Sequence, residues 1–233
     1  MGAHRRRVMC NCAAVDAAVD QAAVWARALE LSDALLAADA GAVAALSEPG
    51  FWERAGRDEL LDLVGNVASA RALGVLGRRS LILLTAPGSR HPESTLEQLW
   101  ARVGDRLLLE DERVFALADR AEVEASGDAE RLERLRTKLE CQDAAGAYAT
   151  ALVSHDVADA TAMWSPGYAS GHGELLRSQI PAVLAAELIG SVGPRTLIRL
   201  VMDDGEHTIE LLWRRHDGRW LIEGARTFTP GVT

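Results

Sequence analysis

A chain of 233 residues is long enough for one large domain or two of ordinary size. An apolar share of 48% supplies real cores, and a mean hydropathy near zero, with no apolar run approaching the roughly 20 residues of a membrane span, fits a soluble protein. The net charge of −9 is spread evenly, 14 basic against 19 acidic residues through Gly127 and 11 against 15 after it, so neither half carries the basic field that nucleic acid or an anionic membrane would select.

Residues 1–13 read as a disordered tail, and Arg5-Arg6-Arg7 is followed by no apolar stretch, so no secretion signal is expected. Cys10, Cys12 and Cys141 make an odd count with no disulfide framework, which fits a reducing cytoplasm. Cys10-x-Cys12 has no second Cys/His pair nearby, so a frayed tail is preferred to a metal site, and no metal or cofactor is expected. From Ala14 to Ala38 apolar residues recur at helical spacing, with Ser32 and Asp33 expected to break or polarise the helix. Asp39-Ala-Gly41 ends or bends this helix, Ala42 to Leu46 forms a short one, and a third is expected from Asp58 to Leu73. Ser80 to Thr85 reads as a strand, followed by a hairpin over Ser94–Leu117. A polar linker covers Ala121 to Gly127, and a charged helix starts near Asp128 and ends near His155.

The order then repeats. A second hairpin, Glu206–Phe228, turns at Asp217-Gly218, a dipeptide suited to a two-residue type I′ turn. A shift of 113 positions lays Thr95, Glu97, Leu99, Trp100, Arg102, Arg106, Leu108, Glu110, Arg113 and Phe115 on identical residues of the second hairpin. Upstream, Asp39–Leu46 matches Asp156–Trp164, Pro49-Gly50-Phe51 matches Pro166-Gly167-Tyr168, and Arg79–Ile82 matches Arg195–Ile198. Helices followed by antiparallel strands, twice over, read as a duplicated α+β domain.

Each copy resembles the NTF2-like (SnoaL-like) superfamily over about residues 20–117 and 140–230. The resemblance rests on Gly56-Arg-Asp-Glu-Leu-Leu61, on Gly173-Glu-Leu-Leu176 and on the terminal Asp217-Gly-Arg-Trp-Leu-Ile222. It implies an α+β fold made of tandem NTF2-like cones, three helices packed in a curved antiparallel sheet, forming an intramolecular pseudo-dimer. The expected boundaries are a tail over 1–13, copy one over 14–120, a linker and helix start over 121–138 and copy two over 139–233. It also implies a cofactor-independent cyclase or isomerase acting by acid–base chemistry on an apolar, carbonyl-bearing small molecule, in secondary metabolism. The alternative is a non-catalytic small-molecule-binding or protein-interaction module, since one fold hosts both. Expected partners are a hydrophobic ligand or substrate, with no nucleic acid and no membrane, in a cytoplasmic monomer (pseudo-dimer) or homodimer.

A two-residue turn fixes which side chains share a face. In copy one it pairs Trp100 with Leu109, Gln98 with Asp111, and Leu96 with Arg113, gathering Gln98, Asp111 and Arg113 on the concave face. A buried charge needs a reason. Either Asp111 is a general acid or base supported by Gln98 and Arg113, or Asp111 and Arg113 form a structural ion pair at the rim. Copy two has Leu211 and Gly224 at the places of Gln98 and Asp111, so one copy is expected to work and the other to support. Its face pairs Trp213 with Ile222, Ile209 with Arg226 and His207 with Phe228. Arg226 repeats Arg113, which favours a structural tie for both. His172, expected in a loop near the cone mouth, is a second proton-transfer candidate with His207, against the plain reading of a solvated loop histidine. Trp100, Tyr168, Trp213 and Arg226 are the candidate ligand-binding residues, the aromatics otherwise serving as core anchors.

Overall fold

The computed structural model describes residues 20–55, 64–89, 91–124 and 128–231. The tail with Cys10 and Cys12, the Gly56–Leu61 motif and residues 58–63 of the expected third helix of copy one lie outside these residues. The chain divides into two compact units, one running through Leu117 and taking the chain up again at Phe228, the other Ala118–Thr227.

In the first unit, α1 (Gln21–Leu36) starts at Asp20, whose carboxylate accepts from the Ala22 N–H and satisfies a free helix-end donor. It runs unbroken through Ser32, whose hydroxyl turns back to the Ala28 carbonyl. Its buried residues, Val24, Trp25, Ala28, Leu31, Ala34 and Leu35, return every three or four positions and form one face. Asp39 caps α2 (Ala40–Leu46) through the Ala42 N–H, and α3 is Phe51–Ala55. Four strands follow: β1 (Ser69–Leu76), β2 (Arg79–Thr85), β3 (Glu93–Val103) and β4 (Arg106–Ala116). Strand β1 corrects the expectation of helix as far as Leu73. Ala, Arg and Leu give the segment helical propensity, but its ladder with β2 decides the conformation.

In the second unit, α4 (Arg120–Glu124) occupies part of the expected linker, and α5 is Ala129–Val153, capped by Asp128. Then come α6 (Val157–Ala162), capped by Asp156, and α7 (Pro166–Gln179). A single 3-10 turn at Ile180–Ala182 leads into β5 (Val183–Val192), β6 (Arg195–Met202), β7 (Gly205–His216) and β8 (Arg219–Phe228). Asp217 and Gly218 both have positive φ, as a type I′ turn requires.

The duplication extends to irregular features. Ala38 and His155 both take positive φ before the short helix. The ladder slips between Ala72 and Gly74 against β2, and between Leu188 and Gly190 against β6. The Glu48 N–H donates to the Leu109 carbonyl as the Ser165 N–H does to Ile222.

The strands fall in one eight-stranded sheet in chain order, β1 to β8. This corrects the expectation of tandem cones, each with its own curved sheet, and of the pseudo-dimer built from them; the α+β class stands. The physical reason is edge economy: two separate sheets leave four edge strands with unpaired backbone groups, one sheet leaves two. Val75 also exchanges backbone hydrogen bonds with Thr229, at 2.9 and 3.2 Å. Gly74 makes room for this segment, because a Cβ there would lie 2.9 Å from the Phe228 carbonyl carbon. No helix among the described residues is long and apolar enough to cross a membrane.

Candidate functional site: a carboxyl and an amide inside the first unit

The β3–β4 ladder starts in the expected register, Trp100 opposite Leu109, and then slips. One extra residue in β4, at Glu110, makes a bulge, so Leu99 faces Asp111, Gln98 faces Glu112 and Glu97 faces Arg113. A one-residue slip sends every following side chain to the other face. Asp111 therefore does not join Gln98. It is exposed, and Glu112 takes the place expected for it. The second unit agrees: Ala225, at the position of Glu112, packs against the helix-covered core.

Gln98 is fully buried on the strand face that also carries Leu96 and Trp100, both in the core with Trp25, Leu31, Leu35 and Phe51. Its Oε1 accepts from the Ser80 hydroxyl at 2.9 Å, and Ser80 Oγ accepts from Trp100 Nε1 at 2.8 Å. The Gln98 Nε2 has no partner, nor do the buried indole N–H groups of Trp25 and Trp52 in the same core. Such groups cost about 1–3 kcal/mol each when left unsatisfied. Glu112 is partly buried. Its carboxyl is pushed up from 4.5 to about 7, first by burial and then by the charge of neighbouring Asp111. A carboxyl with that pKa holds and releases its proton near neutrality, as proton-transfer catalysis requires.

The opposite face holds an ion cluster. Glu97, 3% exposed, bonds Arg79 at 2.6 Å and Arg113 at 3.5 Å. The second unit repeats it, with Glu210 between Arg195 and Arg226, the latter at 3.8 Å. Arg113 and Arg226 are thus ties to a buried glutamate, and the pair to Glu210 sets Arg226 apart from the expected alignment with Ile209. A cavity of about 10 Å³, room for at most one water, is lined by Arg79, Glu97, Leu99, Asp111, Glu112 and Arg113, so Glu112 borders the ion cluster as well.

The remaining candidates are placed as follows. His172 lies within α7, not in a loop, with its ring 5.4 Å from that of Tyr168, which is 8% exposed and packs edge-on to Trp164. Pro166 opens this helix at a position where its missing N–H costs nothing. His207 contacts Asp204 at 3.0 Å. Trp100 and Trp213 are core anchors, the latter donating to Thr196 Oγ1 at 2.8 Å. Burial pushes the Tyr148 phenol and the Cys141 thiol up to about 12, so both stay protonated. Among the described residues no group of three or more His, Cys, Asp and Glu gathers as a metal site. No family model and no curated protein sequence matches the chain.

Proposed function

We propose that the first unit is a cofactor-independent acid–base catalyst, an isomerase or cyclase of the kind the SnoaL-like resemblance implies, acting on an apolar small molecule that carries a carbonyl. The observation that carries this reading is Glu112, half-buried and opposite Gln98 in the β3–β4 ladder, with its carboxyl raised to about 7. The Glu112 carboxylate takes a proton from the carbon beside the carbonyl, and the C–H electron pair moves into the C–C–O system. The resulting enolate oxygen is stabilised by hydrogen-bond donors, and the proton returns to the same or another carbon. Atoms and electrons balance with no redox partner.

The test uses 2-tetralone, an apolar ketone, with exchange of its α-hydrogens into heavy water followed by NMR. The protein accelerates exchange, Glu112→Gln lowers the rate about 10²- to 10⁴-fold, and Asp111→Asn leaves it within about twofold. Exchange at the buffer rate, or an unaffected Glu112→Gln, overturns the proposal.

One observation favours a binding module in the second unit. A cleft of about 480 Å³ between α5 and β5 is lined by Gly146, Ala149, Thr150, Val153, Ser154, Ala186 and Leu188. The Thr150 and Ser154 hydroxyls turn back to the Gly146 and Thr150 carbonyls, which leaves the lining mainly apolar. Its volume suits an organic ligand. Gly146→Leu, the residue that α1 carries as Leu29 at the matching place, fills it and abolishes any binding of an apolar dye there, read by fluorescence titration.

A further inference from the structure

Three differences between the units meet along α5 and β5. Gly146 stands where α1 carries Leu29, and a Cβ built on it would meet nothing within 4 Å, so this wall of the cleft is bare backbone. Leu184 stands where the first unit has Ala68. At 57% it is the most exposed large apolar side chain among the described residues. His155 stands where the first unit has Ala38, and its Nε2–H donates to the Val183 carbonyl at 2.9 Å. That bond ties the end of α5 to the residue just before Leu184. The β5–β6 ladder slips between Val183 and Ala185, so Leu184 is the extra residue of a bulge. A knob is thus fixed at one end of the cleft, and the hollow at Gly146 lies nine residues back from His155, roughly 13 Å along a helix.

We propose that this surface pairs with the same surface of a second copy of the chain, the two α5 helices antiparallel about Thr150. Leu184 of each copy then fills the Gly146 hollow of the other, the reciprocal contact that a two-fold axis generates. This rests on reading the cleft as a binding site and names its occupant. The rim charges are complementary in the same arrangement. Arg120, 74% exposed, pairs with Asp143 at 3.0 Å, one turn before Gly146 and on the same helix face. Asp156 and Asp159 are exposed just beyond the other end of the cleft. The two-fold sets Arg120 of one copy against these aspartates of the other, whereas a parallel pairing sets like against like. A small ligand in the cleft leaves Leu184 and the 41% exposed Val153 in water, and a second copy covers both.

The test is sedimentation velocity of the full chain at about 1 to 100 μM, the range in which a modest interface fills. The sedimenting mass doubles across it. Leu184→Ala and Gly146→Leu, the residues the first unit carries at these places, each weaken the dimer about tenfold with the far-UV circular dichroism unchanged. Arg120→Glu weakens it about fivefold, and adding Asp159→Arg restores it, which a disturbed fold would not do. A chain that stays monomeric, or a dimer indifferent to both Leu184→Ala and Gly146→Leu, overturns this inference. Binding of the apolar dye that Gly146→Leu abolishes then still keeps the cleft as a ligand site. A dimer with these sensitivities and no dye binding assigns the cleft to the second copy alone, and absence of both dimer and dye binding overturns the two readings together.

Discussion

The two sheet halves share a scaffold and differ at two facing positions. Each buries a tryptophan whose indole donates to a β-strand hydroxyl, Trp100 to Ser80 and Trp213 to Thr196. Each also clamps a buried glutamate between two arginines. Between these constants, Gln98 and Glu112 of the first unit stand where the second has Leu211 and Ala225. Duplicated features hold the strands in place, whereas polar groups inside only one core serve no need common to both. Chemistry is therefore sought where the copies part.

That contrast can be broken most severely at the shared anchors. Trp100→Ala and Trp213→Ala should each cost about 3–5 kcal/mol in denaturant melts, since each empties a buried ring's volume and strands a hydroxyl partner. Similar losses in both units support a common structural role. Glu97→Ala and Glu210→Ala should follow at about 2–3 kcal/mol, below the cost of a fully buried pair because the arginines are partly exposed. Equal losses again mark a tie present twice, and a variant that is neutral in one unit would separate them.

Transplanting the difference sharpens it. Leu211→Gln should destabilise the second unit by about 2 kcal/mol, because it buries an amide in an apolar core, while Gln98→Leu, which removes an unpartnered Nε2, should be neutral or stabilising. The smallest effect is the pH slope. Glu112 holds its proton in the folded chain up to about 7 but releases it near 4.5 when unfolded. Between those values the unfolded state binds fewer protons, so stability falls as pH rises, by about 1 kcal/mol once partial exposure is allowed for. Thermal melts from pH 4 to 8 should show this slope in the parent chain and not in Glu112→Gln.

Much of the scaffold was legible in the sequence. The repeat located both hairpins, the Asp217-Gly218 turn and the aspartates that cap the short helices. The contrast of Gln98 with Leu211 could be read as well. The partner of Gln98 could not, because a bulge at Glu110 leaves no mark in a run of three acidic residues, Glu110-Asp111-Glu112. The turn rule holds at Leu109 and fails two residues later, which moves the acid from Asp111 to Glu112. Ala225 in the second copy was the available signal, an apolar residue on the core side where Gly224 had been aligned. Strands β1 and β5 escaped notice because sheet pairing, not local propensity, makes them. The join into one sheet lies beyond hairpin-by-hairpin reasoning altogether.

The pairing of Val75 with Thr229 bears on how the chain is made. Emerging from the ribosome, residues 20–117 lack the segment from Phe228 that belongs with them until 110 further residues have been synthesised. In that interval Trp25 lacks the backbone of Gly231 against its ring, and Val75 its last backbone partner. Maturation of the first half is thus coupled to completion of the second, and nascent chains stalled before that point should be the ones that chaperones hold longest.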